Sequence, residues 1–339
     1  MQAETLTKTY NKKIMASKNS NQTQNENVIY INPKTDFGFK RLFMEGVRAK
    51  IRLLDLLKTF FPIPLRHVNR IVLDPSELLG DTEQEKRIVL DILATIDDKT
   101  EALVEMQRAV MEHFAERSIF YACRLVSKSL NRGDEYDLPN VLALFITEKP
   151  LPVFEGFDGF FHTVQLRSMD GKFFSEKIML GYLDLSKFAA PNPGQLKDMQ
   201  FADRQEKWGY ILANIGQMEL QDLSQEDDVF RSVFEDSMHQ KLTKMEKEEY
   251  KKSVLEYEDV QKAVRYAEKL GREEGLKEGI EQGREQGIEQ GIEQGIEQGR
   301  EERTRQIVRN MLAKGFDPDL VAEVVGLTAE EVRAMSAEG

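Results

Sequence analysis

The chain has 339 residues, with 47 Lys and Arg against 59 Asp and Glu, a formal net charge of -12 and 40% apolar residues; that length suits roughly two domains of about 150 residues. One Cys and four His exclude a disulfide framework and a Cys/His zinc cluster, because structural zinc needs four such ligands converging. No run approaches the ~18 consecutive apolar residues of a membrane span and the opening MQAETLTKTYNKK lacks the apolar core of a signal peptide, so the expected location is the cytoplasm with no membrane partner.

Residues 1–27 are rich in Asn, Gln, Lys, Ser and Thr without apolar periodicity, which predicts a disordered segment. From Ile31 to Phe61 the text turns helical, with Phe39, Leu42, Phe43, Val47, Ile51, Leu54 and Leu57 on one expected buried face. Thr35 is placed to cap it, and Pro62 and Pro64 stop it. The stretch KRIVLDILATIDDKTEALVEMQ alternates around a polar turn at Asp97 to Thr100 and predicts an antiparallel hairpin. Residues 113–131 return to helical spacing, ending at Asn131 to Gly133, and VLALFIT at 141–147 suits a strand buried on both faces. FHTVQLRS and KIMLGYLDLSKF are further strands, followed by helical text around Trp208 and Tyr210 and a long polar helix over about 229–270.

From Gly271 to Gly299 a glycine recurs every fourth residue, with Ile at 280, 288, 292 and 296. A period of four overshoots 3.6, so each glycine is rotated about 40° from the last, the sense that favours right-handed supercoiling. Each glycine costs about 1 kcal/mol in a helix interior relative to Ala, so such a helix pairs with another copy or frays. The last segment carries an amphipathic helix, RTRQIVRNMLAKGF, and two short helices opened by caps at Asp317 and Thr328. Ala322, Gly326 and Val332 match the A-x3-G-x5-[IV] spacing of helix-turn-helix units. Six acids between Asp317 and Glu338 stand against Arg333 alone, which favours a packing or protein-contact hairpin over a DNA reader.

The hairpin carries the chemistry. Asp91 sits amid Val89, Leu90, Ile92 and Leu93, where an ionised carboxylate is costly unless paired or metal-bound. Glu105 and Gln107 are two apart and share a face, while Val104 and Met106 share the other. A turn of odd length, such as Asp97 to Lys99, sets Asp91 opposite Glu105. Two carboxylates and an amide on one sheet face form a ready site for Mg²⁺. On the helix that follows, Arg117, Tyr121, Arg124 and Lys128 form one polar stripe, suited either to DNA phosphates or to an ordinary solvated face. Trp208 and Tyr210 are expected in the core, His113 as a capping or surface residue, and Asp36 as support for a helix start.

The string NPKTDFGFKRLF, the Asp91 strand, the VEMQ strand and the helix with Arg117 and Tyr121 resemble the PD-(D/E)XK nuclease family transposases, which include the recombination-promoting nucleases. The resemblance implies an α/β, restriction-endonuclease-like core of order αβββαβ, a mixed sheet flanked by helices, with a helical C-terminal repeat and tail. The expected division is a disordered 1–27, a nuclease-like domain over 28–260, a repeat helix or linker over 261–301 and a helical tail over 302–339. By position, Asp91 and Glu105 become the two motif acids, the Met106 carbonyl a third metal ligand, and Gln107 stands where Lys is usual. Lys40 and Arg117 are candidates for the missing charge, and Asp36 for support. The implied function is a metal-dependent DNA endonuclease using Mg²⁺ or Mn²⁺, linked to recombination or mobile elements, with DNA and a second copy as partners. The alternatives are a catalytically weak DNA-binding adaptor with a degenerate nuclease fold, and an oligomeric scaffold working through the repeat.

Overall fold

A computed structural model describes residues 29–61, 70–74, 77–78, 88–97, 99–109, 111–128, 135 and 137–337. The expectations for residues 1–27, for Pro62 and Pro64 and for Asn131 to Gly133 lie outside these. Among the described residues the strands are β1 (Ile71–Leu73), β2 (Glu77–Leu78), β3 (Ile88–Val89), β4 (Ile92–Ile96), β5 (Thr100–Gln107), β6 (Asn140–Thr147), β7 (Phe161–Arg167) and β8 (Phe173–Asp184). The helices are α1 (Asp36–Phe43), α2 (Gly46–Phe60), α3 (Phe114–Lys128), α4 (Arg204–Asn214), α5 (Asp228–Ser237), α6 (Lys244–Ala313), α7 (Pro318–Val325) and α8 (Ala329–Ala337).

Six strands form one mixed sheet in the order β1-β4-β5-β6-β8-β7. The β4–β5 hairpin is antiparallel, β5, β6 and β8 are parallel, and β7 returns antiparallel to β8. Helix α3 connects the parallel neighbours β5 and β6, since a parallel pair needs a crossover rather than a tight turn. The order α1, β1-β4-β5, α3, β6 is the αβββαβ core. Strand β6 is central and buried from Val141 to Thr147, which explains its unbroken apolar text.

Alternation along the strands feeds two layers. Ile92, Ala94, Val104 and Met106 point into a core with α1, α2, α4 and α5, where Trp208 is fully buried. Leu93, Leu103, Ala143 and Phe145 point the other way, onto Phe114, Tyr121, Ala122 and Leu125 of α3. Trp208 and Tyr210 are thus core residues, and the Trp208 indole N–H donates to Asp55 Oδ2 at 2.8 Å.

Two helical expectations need correction. The 31–61 pattern is two helices, because Gly46 takes a φ of +78° and breaks the chain between Phe43 and Val47. The break rotates the second helix, so Val47 and Ile51 face solvent while Ala49, Leu53, Leu56 and Phe60 are buried. Arg52, also fully buried, ties the break together: its Nε donates to the Leu42 carbonyl and Nη1 to Asp236 Oδ2, both at 2.7 Å. The polar helix over 229–270 is also two. Segment 29–31 intervenes at their junction, with Ile31 N donating to Ser237 O and His239 N to Ile29 O, so α5 stops at Ser237 and α6 begins at Lys244.

Chain contacts divide the molecule into two units at Val264/Arg265. In the second unit the glycine repeat is helical throughout, and residues 265–303 are exposed along their whole length. The end of α6, α7 and α8 then bury Val308, Val321, Ala322 and Val332 together. Asp317 caps α7 through Asp319 N at 2.8 Å, and Thr328 and Glu331 form a reciprocal capping box. Gly326 ends α7 in the left-handed region, with φ +72°.

Candidate active site

Residues 97–99 form a three-residue connection between Ile96 and Thr100, which are register partners. That odd length carries Ile92 opposite Val104, and the next step along the ladder brings Asp91 to Glu105. Asp97 takes a φ of 50° in the turn, a conformation Asp tolerates better than most residues. The Asp91 amide donates to Glu105 Oε1 at 3.4 Å, and the Met106 amide donates to Asp91 Oδ2 at 2.8 Å. The two carboxyls therefore share the α3 side of the sheet at its edge, as the alternation requires.

Burial and proximity act together on this pair. Glu105 is 7% exposed, and burial, then the neighbouring Asp91 charge, push its carboxyl up to about 8, with Arg117 opposing. Burial also raises Asp91, while the Met106 amide and the charges of Arg108 and Lys40 oppose the shift and Asp36 adds to it. Two carboxyls in this state retain a proton near neutral pH, and a divalent cation between them would replace it. Among the described residues no group of three or more His, Cys, Asp and Glu converges. The oxygen donors at this edge are two carboxylates plus main chain, a set that fits a hard cation keeping several waters.

The other sequence candidates surround this pair unequally. Asp36 opens α1 and pairs with Lys40 at 2.9 Å, and both charges reach Asp91. On α3, Arg117 lies 5.3 Å from the Tyr121 ring centroid and acts electrostatically on both Glu105 and Tyr121. Its Nε is buried without a hydrogen-bond partner. Burial raises the Tyr121 phenol, which Arg117 opposes. Arg124 and Lys128 continue the stripe away from the carboxyls, and the Lys128 charge bears on Glu101. The stripe is thus divided, its first half turned to the acidic pair. Gln107 donates from Nε2 to the Ala109 carbonyl at 2.6 Å, so its amide nitrogen is turned to its own loop. His113 is exposed, and its carbonyl receives Arg117 N at 3.0 Å in the first turn of α3.

The model of the PD-(D/E)XK nuclease family transposases matches residues 33–267. The chain belongs to that family. A second model, for the C-terminal HTH domain of the Rpn/YhgA-like nuclease family, matches residues 301–337. No curated protein and no solved structure matches the chain significantly. The HTH match corrects the packing-hairpin reading of the tail: the Ala322, Gly326 and Val332 spacing was the informative signal. Arg303, Arg305, Arg309 and Lys314 precede the acidic stretch that starts at Asp317 and belong to the same three-helix unit.

The family's core here includes three charged residues that sequence reasoning missed. Arg108 follows Gln107 directly and bears on both Asp91 and Glu148. Glu148 lies at the end of β6, donates its amide to the Gln107 carbonyl at 3.0 Å, and receives the Tyr257 hydroxyl at 2.7 Å. Lys34, half-buried beside it, stands 3.9 Å from the Glu148 carboxylate and donates to the Ala213 carbonyl at 3.0 Å. Burial lowers Lys34 and raises Glu148. Adjacency to the VEMQ string could have singled out Arg108. Lys34 and Glu148 meet only through the fold, 114 positions apart in sequence.

Proposed function

We propose that the chain is a metal-dependent DNA endonuclease that hydrolyses phosphodiester bonds and serves recombination or mobile elements. The observation that carries this reading is the pair of half-buried Asp91 and buried Glu105, closed by the Met106 amide, within the family's nuclease core. Asp91, Glu105 and the Met106 carbonyl would hold Mg²⁺ or Mn²⁺. When bound, such a cation polarises a phosphoryl oxygen and lowers the pKa of a bound water. The Gln107 Oε1 would accept a hydrogen bond from the attacking water and so orient it, without adding charge. Arg117, Lys40 and Arg108 supply the positive potential that a family lysine would otherwise bring, and they favour the ionised form of the acids. Arg117 and Tyr121 meet the strand near the scissile phosphate, and Arg124 and Lys128 extend the contact along the backbone.

The HTH unit supports a second DNA contact that directs the nuclease to its target, and the repeat supports association of two copies through the Ile stripe. Plasmid nicking tests the central reading: the full chain is expected to nick in Mg²⁺ and to stop in EDTA. Inactivity under both conditions, with the protein folded, removes it.

One observation favours the weak adaptor as a second reading. The Gln107 amide is bonded to Ala109 and brings no charge to the acids. Gln107→Lys separates the two: raised nicking marks a charge-limited nuclease, and unchanged absence of nicking in a variant that binds Mg²⁺ marks an adaptor.

A further inference from the structure

The strand edge that carries the acids continues into a cavity of another character. Gln107 is the register partner of Thr147, which is in turn the partner of Asp184. Thr147 and Asp184 line a cavity of about 380 Å³ with Phe154, Phe157, His162 and Lys187. Its nearest wall is therefore one strand spacing, about 4.8 Å, from Gln107. The volume lies at the lower end of small-ligand sites, which run from about 300 to 1,000 Å³.

The walls are flat rings held by the backbone. Phe154 stacks on His162, with centroids 4.3 Å apart and planes 13° apart. Phe157 stands edge-on to both, at 88° and 80°, and remains 65% exposed. It follows Gly156, whose φ of +81° lies in the left-handed region that favours glycine. The polar groups sit at the rim and floor. Asp184 is buried, and its Oδ1 accepts the Ser186 amide at 2.9 Å. Lys187 is exposed. Glu155 and Asp184 outnumber Lys187 in charge, so the cavity does not select a phosphate. It suits an uncharged planar ring with donors and acceptors on its edge, the description of a nucleobase.

We propose that this cavity takes one unpaired nucleobase of the DNA strand, from a nucleotide next to the phosphate presented to Asp91 and Glu105. The proposal rests on the nuclease reading and narrows its substrate: DNA with a displaced base or an unpaired end is preferred to continuous duplex. The base enters beside Phe157, stacks on the aromatic wall, and pairs its edge with Asp184 and Lys187. Stacking of this kind tolerates any base, because every base has a π face.

The test uses the full chain and a short duplex carrying a single bulged 2-aminopurine, with a fully paired duplex as control, both in EDTA so that no bond is cleaved. The expected result is binding of the bulged duplex at least about fivefold tighter than the control, with a change in 2-aminopurine fluorescence. Phe157→Ala should erase the difference while leaving affinity for the paired duplex unchanged, and Phe157→Trp should retain it. Equal affinity for both duplexes, or a preference that survives Phe157→Ala, overturns the proposal. Nicking of plasmid in Mg²⁺ is read separately: nicking without base preference removes the base site alone, and base preference without nicking supports the site while removing the nuclease reading.

Discussion

Glycine shows how differently the two units of this chain are held. Gly38, in the DFGFK segment of α1, is so enclosed that an added Cβ would lie 2.1 Å from the Asn32 carbonyl oxygen and 2.9 Å from Thr35 Oγ1. At each repeat glycine from Gly271 to Gly299, an added Cβ would meet nothing within 4 Å. In the first unit, tertiary neighbours fix each side chain, and a short helix such as α1 persists because Phe39, Leu42 and Phe43 are buried. In the second, the repeat rests on its own backbone hydrogen bonds, with a glycine penalty that no observed contact offsets. Buried charge chemistry requires the first kind of order, and the repeat has none of its features.

The largest expected effect falls on the acids. Asp91→Ala and Glu105→Gln should each lower Mg²⁺-dependent nicking by at least about 100-fold while thermal melting of the first unit stays cooperative. Full activity in either variant would sink the site assignment. Next comes the glycine contrast itself. Gly38→Ala should destabilise the first unit by about 3 kcal/mol, since a backbone oxygen has to move. Gly283→Ala should instead stabilise the helical repeat by about 1 kcal/mol. Urea denaturation of each variant, followed by circular dichroism, reads both, and equal effects of the same sign would erase the distinction drawn here.

The third expectation concerns pH. Glu105 titrates at about 8 in the folded chain, against 4.5 for an ordinary Glu, so above pH 4.5 the unfolded chain releases a proton that the folded chain keeps. Metal-free stability should therefore fall between pH 4.5 and about 8, by up to about 1.4 kcal/mol per unit, and be flat in this contribution above that range. Glu105→Gln should flatten the slope. Mg²⁺ binding has the opposite sign and strengthens as pH rises through about 8, because the cation displaces the proton. Calorimetry at pH 5 and 9, with and without Mg²⁺, checks both, and a wild-type stability that rises over this interval without metal would contradict the assignment. The smallest effect sharpens the second unit: truncation after Leu270 should lower the association state seen in sedimentation without changing the melting of the first unit. Equal association states would leave the repeat as a spacer.

The facing of Asp91 and Glu105 was more legible than its surroundings for a geometric reason. Side chains on a strand alternate strictly, so the distance from Asp91 through an odd turn to Glu105 determines facing without knowledge of the rest of the fold. Helix phase carries no such protection. The apolar spacing through Val47 and Ile51 continues across Gly46, and only the left-handed backbone there shows that the face has turned. Lys34 and Glu148 were illegible as a pair, since a half-buried ion pair between distant segments leaves no periodic trace. In the tail, composition competed with spacing. The short hydrophobic pattern was the better guide, because the packing of Val308, Val321, Ala322 and Val332 depends on apolar positions and not on net charge.

The three-residue turn at 97–99 also limits how this protein can change over generations. Losing or gaining one residue there, with the apolar contacts of β4 and β5 kept in register, would have to be absorbed in the turn. If the ladder slipped instead, Asp91 would meet a residue of the opposite face. Substitutions within the turn leave that parity untouched, whereas single-residue insertions and deletions threaten the acidic pair even in lineages that preserve both acids. Length drift in this hairpin is therefore expected in steps of two, a form of inherited constraint carried by counting and not by the identity of any side chain.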